Sequence, residues 1–373
     1  MSRPRPCGLL ALLFKLRTPY LAALAVALDM TFANRNRGGT HVYARSLFNS
    51  LRDRPDVVAW VISGPRKSNS ARTLAWLVLG AGNAIRSKPP DILHCPAFVI
   101  PWRVTAPVVV TVHDAAARRY PRDHPLEWRL YDRRLMPQRL RAADRVITVS
   151  EFARKDVIDA YRLDPDRVVV VHNGIDPRFF ISPRRDDAAT GPLLFPGAPL
   201  GRKNLDVVLR CLAGAPKGSA LSRVHLEISG AARLEYPRYD RLITSLGLES
   251  RVRWLGHVAD MHAVIARAAA VVYPSLYEGF GLPPLEALAA STPVVASNRG
   301  SLPEVLGEAA LQPDPEDDHA VAEAIESVLT SPDLRERMRH AGVARARLFT
   351  WERCAERTLD VYRAVLSEHH VAV

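Results

Sequence analysis

The chain contains few of the residues that build disulfide scaffolds or zinc sites. Its four cysteines, Cys7, Cys95, Cys211 and Cys354, are widely scattered and form no C-x-x-C pair. This pattern argues against a disulfide framework and against a zinc site. We therefore expect reduced thiols and a cytoplasmic location.

Long hydrophobic runs are also missing. Two apolar segments near the N-terminus, CGLLALLF and YLAALAVAL, are interrupted by Lys15, Arg17 and Pro19, so neither reaches the ~20 residues that a transmembrane helix needs. The second segment ends in LAVALD, which is more typical of a first core strand than of a signal peptide. Residues 1–20 are therefore predicted to be a basic extension, and membrane contact or a misassigned start are the two alternatives for it.

Acidic residues are outnumbered by basic ones. The 51 Lys and Arg against 39 Asp and Glu give a formal charge of +12 and a pI near 9.9, a balance that favours nucleic acid, anionic lipid or a diphosphate as partners. Aromatic residues make up only 7% and are not interleaved with basic residues. Since no nucleic-acid-binding motif is present either, we predict that the protein does not bind nucleic acid.

A metal-binding Asp-x-Asp is missing from any position suited to catalysis. Asp164 and Asp166 flank Pro165 between a predicted helix and a predicted strand, an arrangement typical of a turn. We therefore expect no divalent metal and no cofactor.

Strands and helices alternate from Ala22 onward. A length of 373 residues predicts about two domains. The charged, Pro- and Gly-containing stretch at 181–192 is typical of a linker between them. The predicted boundaries give an N-terminal domain at 21–182, a linker at 183–191, a C-terminal domain at 192–350 and a terminal helix at 351–373.

Twelve segments have the pattern of a buried strand: LAVAL, VVAWVIS, ILHCPA, VVVTVHD, RVITVS and VVVVHNG before the linker, and LLFPG, VHLEISG, RVRWLGHV, AVVYPS, PVVAS and AALQP after it. Helical patterns lie near 40–52, 125–142, 151–160, 204–213, 237–246, 260–268, 283–290 and 317–330. Continuous apolar strands separated by helices predict parallel sheets covered on both faces. The expected fold class is therefore α/β, with two Rossmann-like domains.

Two carboxylates, Glu278 and Glu286, flank a Gly- and Pro-marked turn in YPSLYEGFGLPPLEALAASTPVV. The flanking patterns predict a strand followed by a helix, so both acids lie at the carboxyl edge of a sheet, where ligands and phosphates bind. The alternative is structural: Glu286 would complement the helix dipole, and Glu278 would form a capping box with Ser275. The GFG between the acids favours a ligand, because glycine lets backbone approach it closely.

Arg202 and Lys203 precede the helix predicted near Asn204. Cations at a helix N-terminus oppose its dipole by about 0.3–1 kcal/mol each, so we predict a bound anion there. Arg offers a planar fork to phosphate oxygens and Lys a point charge. Two solvated surface cations are the alternative.

Two other strand ends carry candidate residues. Gly38 and Gly39 precede a predicted helix, where adjacent glycines either let N–H groups approach a phosphate or form a plain tight turn. His113 ends a predicted strand and is either a ligand contact or a satisfied core histidine. Asp114 would orient that imidazole or cap the segment after it.

Three features receive structural interpretations. Asn173 and Gly174 predict a turn that closes a strand, and Ser150 predicts a helix cap. Ser301 and Glu304 in GSLPEV predict a capping box.

Taken together, these blocks resemble family 4 of the retaining GT-B glycosyltransferases, particularly bacterial mannosyl- and rhamnosyltransferases. The resemblance spans roughly residues 22–366 and rests on the two glutamates and on GRK at 201–203. It implies two Rossmann-like domains facing a cleft, with the C-terminal helix crossing back. It also implies transfer of a hexose from a nucleotide sugar such as GDP-mannose to a glycan or lipid-linked acceptor in cell-envelope polysaccharide or glycolipid synthesis.

The resemblance further implies residue roles. Glu286 would hold the ribose, Glu278 the transferred sugar, and His113 would steady that sugar. Arg202 and Lys203 would neutralise the departing diphosphate. Backbone groups would assist at Gly38, Gly39, Gly279, Phe280, Gly281 and Leu282. The family's same-face attack, in which the leaving phosphate accepts the acceptor's proton, needs no enzyme nucleophile.

Two other function classes remain as alternatives. A GT-B nucleotide-sugar epimerase would need additional acid/base carboxylates, and a non-catalytic nucleotide-binding partner would not need intact motifs in both halves. Nine arginines and four acids lie between Arg118 and Arg145. They predict either peripheral contact with the cytoplasmic face of an anionic membrane or an ordinary solvated helix face. The sequence gives no indication of oligomeric state.

Overall fold

The computed structural model describes residues 23–35, 38–64, 76, 80–102, 104–180, 190–230 and 232–371. The predicted extension at 1–20 and most of the predicted linker at 183–191 lie outside the described residues. The domain boundaries that depend on these two segments therefore stay predictions.

Six parallel strands form the first sheet, and the prediction of each is confirmed. They are β1 (Leu24–Asp29), β2 (Val57–Ile62), β3 (Ile92–Cys95), β4 (Val108–Val112), β5 (Arg145–Thr148) and β6 (Val168–Val170). Their order is β2-β1-β3-β4-β5-β6. The central strands β3 and β4 are buried along their whole length, as expected for a parallel sheet covered by helices on both faces.

Six α-helices accompany this sheet among the described residues. They are α1 (Gly39–Arg52), α2 (Ala81–Ser87), α3 (Ala116–Arg119), α4 (Leu126–Arg134), α5 (Met136–Ala142) and α6 (Glu151–Tyr161). The single helix predicted at 125–142 is wrong, because the structure divides it between α4 and α5. Pro137, in the first turn of α5, has no N–H and its ring would clash with the carbonyl of Arg133 in a continuous helix.

Five parallel strands form the second sheet, in the order β11-β10-β7-β8-β9. They are β7 (Leu193–Phe195), β8 (Leu226–Ser229), β9 (Val252–Gly256), β10 (Ala270–Tyr273) and β11 (Val294–Ala296). The sixth strand predicted in AALQP is wrong, since this segment contributes only an isolated bridge between Leu311 and Val295. Pro313 lacks the N–H that would extend the ladder.

Seven further helices cover the second sheet in the described part of the chain. They are α7 (Leu205–Ala213), α8 (Pro237–Ser245), α9 (Met261–Arg267), α10 (Leu282–Ala289), α11 (Leu302–Leu306), α12 (Asp318–Thr330) and α13 (Pro332–Ala346). The sequence did not predict α13. Its start has recognisable signals, because Ser331 Oγ accepts from Leu334 N–H and Pro332 occupies the first turn.

The last helix, α14 (Trp351–Val371), returns to the first domain. Its buried face joins the core that contains residues of β1 and α1, and Tyr362 Oη lies 2.5 Å from Nδ1 of the buried His94 on β3. The predicted crossing of the C-terminal helix is confirmed. This helix follows the second domain in the sequence but packs against the first sheet, and it therefore links the two domains.

Gly174 makes this return possible. A Cβ at Gly174 would lie 2.2 Å from the backbone N of Trp351, so only glycine lets the two backbones meet there. The interpretation of Asn173 and Gly174 as a turn is wrong. The segment runs straight into a parallel bridge between Ile175 and Thr350, and the glycine serves close approach.

Candidate functional site

A cavity of about 570 Å³ lies between the carboxyl edges of the two sheets, within the range of small-molecule sites, roughly 300–1,000 Å³. Its walls follow the ends of strands in both domains, which is where open α/β sheets bind ligands. Every residue predicted for the site lines this cavity except Glu286. The ten that do are Gly38, Gly39, His113, Arg202, Lys203, Glu278, Gly279, Phe280, Gly281 and Leu282.

Three charged side chains and one phenol form a connected group on the second-domain wall. Arg202 Nη1 and Tyr273 Oη each lie 2.9 Å from Glu278 Oε1, to which they donate. Lys203 Nζ lies 3.1 Å from Tyr273 Oη and 4.9 Å from the centre of its ring. In the sequence, Arg202 and Lys203 lie more than 65 positions before Tyr273 and Glu278, and the fold brings the two pairs together.

Burial and charge set the ionisation of this group. Burial alone would raise the pKa of Glu278, but Arg202 and Lys203 hold that pKa below its ordinary value. Burial lowers the pKa of Lys203, and the nearby Glu278 opposes this effect. Two cations against one carboxylate leave net positive charge in a place with little water, which suits an anionic ligand.

The backbone ahead of α7 already holds an anion. The N–H groups of Gly201 and Arg202 lie 3.2 and 3.3 Å from the Asp123 carboxylate, which belongs to the first domain. The predicted helix start at Asn204 is displaced by one residue, because residues 201–203 form a 3-10 turn and Asn204 has a positive φ of 55°. An anion was predicted here, and the sequence did not indicate that a carboxylate from across the cleft reaches these N–H groups.

His113 enters the cavity from the end of β4. Its Nε2 lies 2.9 Å from Pro96 O, and because a carbonyl only accepts, Nε2 carries the proton. Burial lowers the pKa of His113, so the ring is neutral and Nδ1 keeps a lone pair. Asp114 does not orient this ring; its Oδ1 accepts from Ala116 N–H, 2.9 Å away, so the capping alternative holds.

Gly279 lets the two domains touch beside His113. A Cβ at Gly279 would lie 2.1 Å from His113 O, so the GFG loop could not approach with any other residue. Ser150 donates to Gly279 O at 2.6 Å and accepts from Ala153 N–H. The predicted cap at Ser150 is confirmed, and its hydroxyl also joins the domains.

Tyr277 is a contact across the cleft that the sequence did not indicate. Its hydroxyl accepts from Ala115 N–H at 2.8 Å and donates to Asp156 Oδ2 at 2.6 Å, both in the first domain. Tyr277 directly precedes Glu278, so this contact fixes the loop that carries the central carboxylate. A tyrosine beside the motif is the only signal in the sequence that could have suggested it.

The capping box predicted for Ser301 and Glu304 is wrong. Ser301 Oγ donates to Glu278 O at 2.9 Å. The Glu304 carboxylate instead accepts from the N–H groups of Glu151 and Phe152 at 2.9 and 3.2 Å, and it pairs with His172 at 2.7 Å. Free N–H groups at the start of α6 attract the carboxylate across the interface.

Glu286 lies on α10, outside the cavity lining. Burial raises the pKa of Glu286 to about 7, and the nearby Asp176 carboxylate adds to this. The structure therefore separates the two glutamates that the sequence pairs: Glu278 contacts the cationic group and Glu286 does not. The predicted ribose contact of Glu286 remains a prediction.

Seven of the nine arginines in the predicted basic cluster are either ion-paired or exposed. Arg118 pairs with the buried Asp132, Arg119 with Asp156, and Arg145 with Glu368. Arg122, Arg133, Arg134 and Arg141 are exposed, and so are Leu126, Leu130 and Leu135, whose exposed fractions are 61%, 46% and 37%. None of the helices that the structure describes has the length and hydrophobicity to span a membrane.

Comparison with known proteins identifies two family matches. The family described as "Glycosyl transferases group 1" matches residues 190–345, and "Glycosyltransferase Family 4" matches residues 31–179. The O-antigen chain mannosyltransferase B of Escherichia coli is 32% identical over 291 residues, 75% of this chain and 76% of that protein. The O-antigen chain mannosyltransferase RfbU of Salmonella typhimurium is 27% identical over 280 residues, 73% and 76% of the two chains.

Solved structures share the architecture at low identity. WaaG, a glycosyltransferase involved in lipopolysaccharide biosynthesis, aligns with a TM-score of 0.69 at 19% identity, over 90% of this chain and 99% of that chain. Sucrose-phosphate synthase from Thermosynechococcus elongatus aligns with a TM-score of 0.74 at 22% identity, over 92% and 100%. These likenesses show the two-domain fold.

Proposed function

Because this chain belongs to the group 1 glycosyltransferases and is a hexosyltransferase of the GT-B fold, we propose that it transfers mannose, or a related hexose, from a nucleoside-diphosphate sugar with retention of configuration. The acceptor is a glycan or a lipid-linked sugar. The observation that carries the proposal is the group formed by Arg202, Lys203 and Glu278 in the cavity.

Charge drives the reaction in this proposal. As the glycosidic bond lengthens, the sugar approaches an oxocarbenium ion and negative charge grows on the diphosphate. Arg202 and Lys203 neutralise that charge from fixed positions in a buried cavity, where such groups have their largest effect. Glu278, held ionised between them, accepts hydrogen bonds from sugar hydroxyls, and the neutral His113 offers Nδ1 to another.

Retention results from attack on the face that the diphosphate leaves. The acceptor hydroxyl gives its proton to the departing phosphate, so the protein supplies no nucleophile. A metal is not required, because the two cations take its place.

Mannose is favoured as the sugar because two of the similar proteins are named O-antigen chain mannosyltransferases. GDP-mannose is therefore the first donor to test, and cell-envelope polysaccharide the first acceptor class. A thermal-shift screen of GDP-mannose, UDP-glucose, UDP-galactose and dTDP-rhamnose ranks the donors, since a ligand at a hundredfold excess over Kd stabilises by about 2.7 kcal/mol. Transfer from the best donor in the presence of EDTA then tests the reaction and its independence of metal. The proposal is contradicted if no donor raises the melting temperature, or if EDTA abolishes transfer and manganese restores it.

We also propose that the protein binds peripherally to the cytoplasmic face of an anionic membrane. The exposed arginines Arg133 and Arg134 and the exposed leucines Leu126 and Leu130 on α4 support this, since each basic residue near such a surface contributes about 1 kcal/mol. Flotation with anionic vesicles should recover the protein, and Arg133→Glu with Arg134→Glu should abolish recovery. Equal recovery with neutral vesicles, or insensitivity to salt, contradicts it.

A further inference from the structure

Aromatic rings extend from the reaction cavity across the first domain. The His113 ring centre lies 5.8 Å from that of Phe98, and Phe98 lies 5.6 Å from Trp128. Trp128 in turn lies 6.2 Å from Phe32 and stacks on Tyr131 at 5.2 Å, with 18° between the ring planes. We call Phe32, Phe98 and Trp128 the aromatic wall. All three residues are half-buried, so part of each stays accessible to a ligand.

The topology explains why the wall adjoins the cavity. Phe32 follows β1, Phe98 follows β3 and His113 follows β4, and these three strands are neighbours in the first sheet. Their carboxyl ends therefore lie side by side at the edge where α/β sheets bind ligands. Trp128 is added from α4, which packs over this edge.

Phe98 is held there in a conformation that a phenylalanine rarely adopts. Its φ is +48°, a left-handed conformation that is strained for a bulky residue. The backbone is fixed by the Phe98 N–H, which donates to Thr111 O on β4 at 3.1 Å. Strain of this kind persists where the surroundings enforce it, and it occurs preferentially at binding sites.

Two imidazoles adjoin the wall: His113 contacts Phe98, and His124 lies four residues before Trp128 in the sequence. Nε2 of His124 is buried without a hydrogen-bond partner among the described residues. His124 precedes α4 and is near enough to Asp114 and Arg202 for their charges to act on it. His113 Nδ1, at the other end, is assigned to the transferred sugar, so a ligand on the wall would lie next to that sugar. A ligand of this surface therefore needs an apolar face for the rings and a hydroxyl for His124 Nε2.

A pyranose ring has both properties, and an alkyl chain has only the first. We propose that the aromatic wall binds the acceptor's terminal sugar, whose C–H face stacks on Trp128 and Phe98 while its reacting hydroxyl points past His113 into the cavity. This inference rests on the proposed glycosyl transfer. It makes Trp128 and Phe98 the residues that determine acceptor binding, separate from the donor group around Arg202.

The chain offers a matched control for Trp128. Trp254, half-buried on the edge strand β9 of the second domain, stacks on Tyr236 at 6.5 Å with 10° between the planes. This pair is a comparable stack of tryptophan on tyrosine, and it lies away from the first-domain edge. Trp254→Leu therefore measures the general cost of losing such a stack.

Saturation-transfer NMR with octyl α-D-mannopyranoside tests the inference. Ring protons should receive more saturation than the octyl chain, and their signal should fall roughly tenfold in Trp128→Leu. It should stay unchanged in Trp254→Leu and be partly kept in Trp128→Phe. GDP binding, measured in the same samples, should be equal in all variants and shows that they are folded. Strongest saturation on the octyl chain, absent ring saturation, or ring saturation insensitive to Trp128→Leu overturns the inference.

Donor turnover separates this outcome from the proposed function. If donor is transferred while Trp128→Leu leaves the acceptor KM unchanged, the inference about the wall fails and the transferase assignment stands. If ring saturation depends on Trp128 while no donor is consumed, the wall stands and the proposed transfer fails.

Discussion

Arg202 and Glu278 form an ion pair of 2.9 Å whose side chains are only 13% and 11% exposed. The pair joins the residue assigned to the diphosphate with the residue assigned to the sugar. A bound donor therefore meets these side chains already positioned by each other, which lowers the cost of organising the site. Removing either partner weakens the compensation of the charge that stays buried.

Replacing Arg202 or Lys203 with Ala should lower kcat/KM by on the order of 10²-fold or more, because charge stabilisation of the leaving group is lost. Arg202→Ala should also lower the free energy of unfolding by about 3 kcal/mol, since Glu278 stays buried and loses its ion-pair partner. Steady-state kinetics and urea denaturation measure the two effects. Arg210→Ala, which breaks the exposed pair with Asp318, should change neither, and near-normal turnover in both site variants would remove the diphosphate assignment.

The two glutamates should separate in binding experiments. Glu278→Gln should leave affinity for the free nucleoside diphosphate nearly unchanged while donor turnover falls, because Glu278 is assigned to the transferred sugar and not to the nucleotide. Glu286→Gln should weaken donor and nucleoside diphosphate alike, by roughly 1.5–3 kcal/mol if it holds the ribose. Calorimetric titration of both ligands into both variants decides this. An unaltered nucleotide affinity in Glu286→Gln would agree with its position outside the cavity lining and would end its predicted role.

The raised pKa of Glu286 predicts a pH dependence of stability. Its folded-state pKa of about 7 exceeds the ordinary 4.5, so the folded protein binds the proton more tightly. The stabilisation is complete below about pH 4.5 and is lost as pH rises through about 7. Urea denaturation from pH 5 to 8 should show this loss in the wild type and a smaller loss in Glu286→Gln. Glu304→Gln is the control: hydrogen bonds from His172 and α6 outweigh burial and lower the pKa of Glu304 below the ordinary 4.5. Its contribution to stability is therefore complete above about pH 4.5, and Glu304→Gln should leave the slope between pH 5 and 8 unchanged.

The sequence predicted what depends on local pattern. Apolar runs located all eleven strands of the two sheets, and Glu278, Arg202 and His113 were found because they follow strands or precede a helix. It could not predict Asp123, Tyr277 and Glu304, whose partners lie in the other domain. Their side chains have ordinary local explanations in sequence, as the capping box expected of Glu304 illustrates, and only the packing of the domains gives them their contacts.

Two other differences have local causes that were available in the sequence. Pro137 divides the helix predicted at 125–142, and Gly174 permits close approach where a turn was expected. In both cases the residue type is compatible with more than one local structure, and the surrounding structure determines which one forms. The aromatic wall is of the same kind, since Phe32, Phe98 and Trp128 are distant in sequence and meet only at the sheet edge.

Gly174→Ala tests the return of the C-terminal helix. The added Cβ would lie 2.2 Å from Trp351 N, so the backbones must separate, at a cost of about 1–3 kcal/mol. Urea denaturation should show the loss. Gly214→Ala is the matched control, because Gly214 has an ordinary φ of −82° and its added Cβ would come no closer than 3.3 Å to Arg210 O. Equal stability of the two variants would contradict the packing described here.

Retaining transfer in the cavity of Arg202, Lys203 and Glu278 is tested most directly by proton NMR of the anomeric signals during reaction. With GDP-mannose and octyl α-D-mannopyranoside, the wild type should release GDP and form a new α-linked mannoside, at a rate that Lys203→Ala lowers on the order of 10²-fold. A β-linked product would contradict retention. Donor consumption that is equal in the wild type and Lys203→Ala would contradict the site itself.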